Sequence, residues 1–339
     1  MRVAIVGSGI VGAWIAFELS ARHRITIVDA APQAGAGASG RSFGWINHIH
    51  CDPEGESAEF DRRLAARDRF DRMNDRLGGA LFAAGSGSLV WGVTDGATEA
   101  MANPHLARGA PSRLIGRDEI ERIAPHVAGP PALALHSPRD VALSAGFAAG
   151  LMAQAAAENG ARMLMGHTVL GVEVAQGRAT GLRLAETVIA ADVVVLAAGT
   201  NIPRLLPDPG ALRIGSSPAG LVRLAATGPA PAVILDTPKV EIRPAGPGYW
   251  LSAVDLDGSG PQMSLDDIAA RVRADAIALM PGLRDLRVTA TAAAARPMPQ
   301  GGLIAGPVPG VEGLFAAVSH PGVINAPFLS DRIAALLDS

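Results

Sequence analysis

The chain has 339 residues and a net charge of −3 at pH 7, with enough apolar side chains for two domains or one large one. The charge balance and the lack of basic clusters argue against nucleic acid or anionic membrane as the main partner, and no apolar run approaches the roughly 18 residues that span a bilayer. A single cysteine, Cys51, excludes an internal disulfide framework, and the chain opens directly on a core strand; a cytoplasmic protein without a signal peptide is the expectation.

Residues 1–29, MRVAIVGSGIVGAWIAFELSARHRITIVD, predict a strand, a glycine turn, a helix and a second strand ending in an acid. Gly7, Gly9 and Gly12 form G-x-G-x-x-G directly after Val3–Val6, with Ile10 and Val11 opening the helix. Gly7 permits the tight turn, Gly9 lets backbone approach a pyrophosphate, and Gly12 lets helix pack on strand. The helix N-terminus offers N–H groups and a positive dipole end to phosphates. Asp29, followed by Ala30, comes 17 residues after Gly12, close to the spacing of an acid that binds a ribose hydroxyl. In this context the motif predicts dinucleotide binding rather than a purely structural turn.

The glycine-rich stretch 30–47 reads as a loop packed against a ligand. Residues 57–77 suit an amphipathic surface helix, and 88–93 a strand. The region 95–140 is mixed, with a short helix around Arg117–Ile123. Ser144–Asn159 is an alanine-rich helix capped by Gly160. Strands follow at Arg162–Met165, Val169–Val174 and Ala179–Leu184. ADVVVLAAGT (191–200) then reads as a strand buried on both faces, as in a parallel sheet. From 214 to 295 short strands return at Leu221–Ala225, Val233–Leu235, Val240–Arg243 and Trp250–Ala253, interrupted by a helix over Leu265–Leu279. LIAGP (303–307) and LFAAVS (314–319) read as strands, and Val323–Leu337 as the last helix. The order predicts a nucleotide domain in three segments with a β-rich domain inserted twice.

Four stretches carry a resemblance: VAIVGSGIVGAWIAFEL with Asp29, GASGRSFGWIN, ADVVVLAAGTNIPRL, and RPMPQGGLIAGPVPGVEGLFAAVSHPGVINAPFLSDRIAALL. In these the chain resembles the FAD-dependent amine oxidoreductases related to D-amino-acid oxidase, glycine oxidase and sarcosine oxidase. An NAD-binding domain needs neither the second small-residue strand end near 199 nor a C-terminal helix returning to the cofactor. The resemblance implies noncovalent FAD and an α/β fold: a discontinuous Rossmann-like FAD-binding domain (1–56, 141–210, 296–339). An α+β substrate domain on a mixed or antiparallel sheet is inserted (57–140, 211–295).

It further implies that Ser39, Gly40, Arg41 and Ser42 run along the pyrophosphate and isoalloxazine, and that Val169 meets the adenine through its backbone. Ala198–Gly199 would end a strand beside the glycine turn. Gly322, Val323 and Ile324 would aim the last helix at the flavin C2 carbonyl, where a helix N-terminus stabilises negative charge. Arg296 falls where the family grips a substrate carboxylate, for which the planar guanidinium fork is suited. Arg243 and Arg223 are the weaker alternatives. His320 is expected beside the flavin ring, and His48 and His50 after the flavin loop; a lone histidine is more often packed or exposed. No pair has metal-ligand spacing, so no metal is expected, and no nucleophile elbow or P-loop is present.

Departures from the family bear on the chemistry. Tyr249 is the only tyrosine, and Trp250 is aligned with the flavin-facing lysine of sarcosine oxidases, which predicts slow reaction of reduced flavin with oxygen. With Trp45, these aromatics are expected to wall the pocket. Lys239, the only lysine, lies before a strand at an expected surface position. Cys51 lies far from the C-terminal region where some relatives bind flavin covalently. The expected reaction oxidises the C–N bond of an amino acid or secondary amine, with oxygen or another electron acceptor. A 2-hydroxy-acid dehydrogenase and a flavin-binding subunit without turnover stay open, as do a homo-oligomer and a larger complex.

Overall fold

In chain order the polypeptide forms β1 (Arg2–Val6), α1 (Ile10–Ser20), β2 (Arg24–Asp29), β3 (Trp45–Ile46), α2 (Ser57–Arg76), β4 (Phe82–Val90), α3 (Asp95–Ala107), β5 (Arg113–Gly116), α4 (Arg117–Ile123) and β6 (Leu133–Leu143). The middle supplies α5 (Ala145–Glu158), β7 (Arg162–Met165), β8 (Gly171–Ala175), β9 (Arg178–Arg183), β10 (Val188–Ala190), β11 (Val193–Leu196) and α6 (Ile202–Leu205). The last third adds β12 (Ile214–Ala225), β13 (Ile234–Asp236), β14 (Glu241–Pro244), β15 (Tyr249–Asp255), α7 (Leu265–Leu279), β16 (Arg287–Pro299), β17 (Leu303–Pro307), β18 (Leu314–Ser319) and α8 (Gly322–Asp338). This computed structural model describes every residue except 229–231, 257–262 and 284, and the side chains of 83–85.

The chain divides into two compact units. The first comprises Met1–Ser42, Ala145–Pro218 and Ala294–Ser339; the second comprises Phe43–Ser144 and Ala219–Ala293. The divisions differ from the expected ones: 43–56 packs with the second unit, because Trp45 and Ile46 pair with Ala142 and Val141.

In the first unit the strand order is β17-β18-β11-β1-β2-β7, with all neighbours parallel except β17. The continuous apolar runs at β1 and β11 are buried on both faces, as such a sheet requires. Helix α1 packs against α5 and α8, and it is buried nearly all round: Ala13, Trp14, Ile15 and Leu19 are at most 3% exposed. The antiparallel β8–β10 sheet contributes Val172, Ala179 and Leu182 to a core shared with Val194 and Leu196.

The second unit is built on a large mixed sheet ordered β16-β12-β15-β14-β13-β4-β6-β3, with β5 paired to β6. One face packs on α4 and α7 through Leu224, Ile242, Trp250, Ile268 and Val272. The other carries a smaller core of Trp45, Ile49, Val90, Leu135 and Ile234 with Ala102 of α3. Helix α3 and strand β6 fill the region read as mixed. Among the described residues no helix is long and apolar enough to cross a membrane.

Candidate active site

The parallel strands of the first unit end at a common edge, where Val6 stands beside Leu196 on one side and Val28 on the other. Strand β1 is the switch point: β2 and β7 lie to one side, β11 and β18 to the other. Ligands of open parallel sheets bind beyond the carboxyl ends of the strands at such a point. Gly7 adopts φ +100°, and a Cβ there would lie 2.6 Å from the Ala197 carbonyl oxygen. A Cβ on Gly12 would lie 1.9 Å from the Gly7 carbonyl oxygen. These two glycines close the turn on itself. Gly9 differs, because the nearest atom to a Cβ there is Ser39 Oγ at 3.1 Å. Its outer side is otherwise open, as a cradle for a ligand would be.

Ser39 Oγ accepts the Ile10 N–H at 2.9 Å, so this hydroxyl stands at the N-terminus of α1. The Asp29 carboxylate accepts the Ser8 N–H and O–H, both at 2.7 Å, and the Ala31 N–H at 2.8 Å. A carboxylate has about four lone-pair sites, so room for a hydroxyl donor remains. Ser39, Gly40 and Arg41 belong to one 3-10 turn over Ala38–Arg41, closed by the Ser42 N–H to Ser39 oxygen at 3.3 Å. Arg41 is exposed and donates to the Ala36 and Gly37 carbonyls at 3.0 and 3.4 Å, bracing its own loop. Gly146, which sequence reasoning missed, supports this turn: a Cβ on it would lie 2.8 Å from Gly40 Cα. The signal was a glycine in the first turn of an alanine-rich helix.

Ala198 and Gly199 follow β11 at the same edge, with open space around a Cβ placed on Gly199. The Val169 side chain is buried in the core, which leaves its backbone as the group to offer. Because Leu196 stands beside Ala316, β18 also ends at this edge and delivers α8 there. Pro321 caps α8, its first turn holds no acid, and a Cβ on Gly322 would meet nothing within 4 Å. Val323 is half-buried and Ile324 packs inward. The buried Asn325 donates to Ser319 Oγ at 3.0 Å, and Ser319 donates to the Gly302 carbonyl at 2.9 Å. The helix start is thereby pinned to β17. His320 is half-buried, and its N–H reaches the Gly302 carbonyl at 3.2 Å. Arg296 lies on β16 and donates from Nη2 to Ser217 Oγ at 2.6 Å.

The candidates in the second unit fare differently. Trp250 is 1% exposed inside the α7-facing core. Successive strand residues face opposite ways, so Tyr249, not Trp250, lies on the other face, with the Arg223 guanidinium 4.7 Å above its ring. Trp250 is therefore a core side chain rather than a pocket wall, and the expectation of slow oxygen reactivity built on it falls. Trp45 is likewise buried, its Nε1–H bound to Asp140 at 2.9 Å. His48 is 3% exposed, with Nε2 and Ser112 Oγ 3.0 Å apart. Burial, with help from His105 and Arg63, pushes it down to about 4, so it is a neutral structural histidine at neutral pH. His50 Nε2 lies 2.9 Å from Asp236 Oδ2. Lys239 is exposed in the turn before β14. Arg243 is spent on three backbone carbonyls and is not available as a carboxylate anchor. Glu241, also missed, is held up to about 8 by burial, with Asp236 and Asp255 adding to the shift. Among the described residues no group of three metal-ligating side chains occurs.

Asp140 is buried and accepts from Ser88 Oγ at 2.7 Å as well as from Trp45. Burial outweighs both bonds and pushes its carboxyl up to about 7. A raised carboxyl stabilises the fold fully below its unfolded value of 3.8 and loses that contribution as pH rises through 7. The upper bound is about 4 kcal/mol. Glu241 acts with the same sign, and His48 opposes them below its ordinary 6.5. The melting temperature should therefore fall between pH 5.5 and pH 8 (about one proton per raised carboxyl), and Asp140→Asn should flatten the decline. An unchanged slope in the variant would show that Asp140 is not the titrating group.

The chain belongs to the DAO family of FAD dependent oxidoreductases, which it matches over residues 2–336. It is 32% identical over 166 residues to glycine oxidase of Pseudomonas putida, covering 47% of this chain and 45% of that protein. The match thus spans about half the length of that curated relative. Glycine oxidase from Geobacillus kaustophilus has the same fold, with a TM-score of 0.84 at 24% identity over 99% of this chain and 95% of that one. Iminodiacetate oxidase from Chelativorans sp. BNC1 gives 0.83 at 21% identity, with 99% and 95% covered. FAD is the cofactor of this family, and the glycine cradle, the Asp29 carboxylate at the end of β2 and two helix N-termini at one sheet edge fit it.

Proposed function

We propose that this chain oxidises the C–N bond of an amino acid or secondary amine to an imine that hydrolyses. The observation that carries the reading is the identity to a glycine oxidase within a family that uses FAD. Gly7, Gly9, Ile10, Val11 and Gly12 hold the pyrophosphate, and Asp29 with Ala30 holds the ribose. Ser39–Ser42 and Ala198–Gly199 flank the dinucleotide, Val169 meets the adenine, and Gly322–Ile324 face the flavin. Bound FAD supplies the hydride acceptor.

Arg296 grips the substrate carboxylate through its fork, and Ser217 Oγ, 2.6 Å from Nη2, fixes the guanidinium. The N–H groups of the first turn of α8 add positive potential where negative charge gathers. No strong protein base is required when the amine enters neutral, which fits His48 being buried and neutral. Turnover with an artificial electron acceptor and a panel of amino acids and N-alkyl amino acids tests this: a carbonyl product and a released amine are expected. Carbonyl product from 2-hydroxy acids alone would assign the chain to C–O oxidation.

FAD is held noncovalently. Cys51 is buried in the second unit, and burial pushes its thiol up to about 11, so it is not a reactive nucleophile. Acid or heat precipitation should release the yellow cofactor into the supernatant. Flavin retained by the washed pellet would overturn this.

A further inference from the structure

Arg243 is 1% exposed on β14, and its guanidinium donates to three carbonyls: Phe43, Leu143 at 3.2 Å and Pro244 at 2.7 Å. It also lies 5.3 Å over the Phe43 ring. Phe43 and Leu143 sit at or next to two of the four places where the chain passes between units, 42/43 and 144/145. They are joined there by the Leu143 N–H to the Gly44 carbonyl at 2.9 Å, so closely that a Cβ on Gly44 would lie 2.0 Å from the Leu143 oxygen. Each of these two crossings leads straight to the loop that lines the cradle. Ser42, next to Phe43, ends the Ser39–Ser42 turn, and Gly146, just beyond Leu143, packs on Gly40.

We infer that Arg243 is a positioning residue for the cofactor loop: one fork fixes both crossings and thereby holds Ser39–Ser42 in place for FAD. This rests on the reading of those four residues given above. Burial lowers the guanidinium to about 10, which leaves it charged at neutral pH. Lysine has donors but no planar fork, so it cannot bridge carbonyls spread over three segments.

The test measures FAD affinity by titrating apoprotein, alongside its melting temperature, in Arg243→Lys and in the core variant Leu224→Ala. Arg243→Lys should weaken FAD binding at least tenfold, whereas Leu224→Ala should lower the melting temperature without that loss. Wild-type FAD affinity in Arg243→Lys, or equal loss in both variants, overturns the proposal. Should Arg243→Lys not fold, hydrogen exchange on the wild-type chain decides. FAD added to apoprotein should slow exchange at Gly44–Trp45 and Leu143–Ala145 together with Ser39–Ser42. Protection of Ser39–Ser42 that stops at Ser42 overturns the role of Arg243 but keeps the cofactor loop. No protection at Ser39–Ser42 would reject the reading of the loop itself, and the inference with it.

Discussion

Gly9→Val should give a folded protein that no longer retains FAD. Among the described residues the only atom within 4 Å of a Cβ at Gly9 is the Ser39 hydroxyl oxygen at 3.1 Å, the end of a small side chain that can turn away. The added methyl groups then occupy the open side of the turn, where the family places a pyrophosphate. A loss on the order of 100-fold or more in affinity, roughly 3 kcal/mol, is expected. Gly12→Ala makes the contrast, because its Cβ would collide with the Gly7 carbonyl at 1.9 Å and must displace backbone. That variant should lose both cofactor and fold. Absorbance of bound flavin relative to protein, read beside far-ultraviolet circular dichroism, separates the two. A Gly9→Val protein with stoichiometric FAD would mean that the dinucleotide does not cross this turn.

Arg296→Lys should lower kcat/KM for carboxylated substrates by roughly 30- to 1000-fold, with FAD content and melting temperature little changed. A charge-assisted bidentate pair in a partly dry site contributes about 2–4 kcal/mol, and one ammonium cannot reproduce it. Arg296 Nη2 donates to Ser217 Oγ at 2.6 Å, a contact that orients the guanidinium. If Arg296→Lys loses flavin or unfolds, the residue is structural. If it keeps full activity on carboxylated substrates, the anchor lies elsewhere; with Arg243 committed to backbone, Arg223 over Tyr249 is next in line.

What could be read from the sequence was local. The glycine fingerprint, Asp29, the apolar runs of β1 and β11 and the helix over Leu265–Leu279 each announce themselves within a few residues, and the structure has them there. The small residues at 198–199 and 322 suggested a cradle, and among the described residues a Cβ on Gly199 or Gly322 meets nothing within 4 Å. What escaped depends on partners far along the chain. Arg243 looked like an available cation, yet its acceptors lie 100 and 200 positions away as well as next door. Alternation along β15 shows that Tyr249 and Trp250 face opposite ways, but only the packing of α7 decides which of them is buried. The alanine-rich β16 has weak strand propensity and is held by the sheet. Helix α3 was hidden by Pro104 near its end.

The most direct measurement is anaerobic mixing of the holoprotein with amines, amino acids and 2-hydroxy acids while the visible flavin absorbance is followed. Rapid bleaching by at least one amine or amino acid, and none by the hydroxy acid of matching side chain, is the predicted result. Bleaching by hydroxy acids alone, or a flavin that dithionite reduces but no amine or amino acid does, would contradict C–N oxidation by this chain.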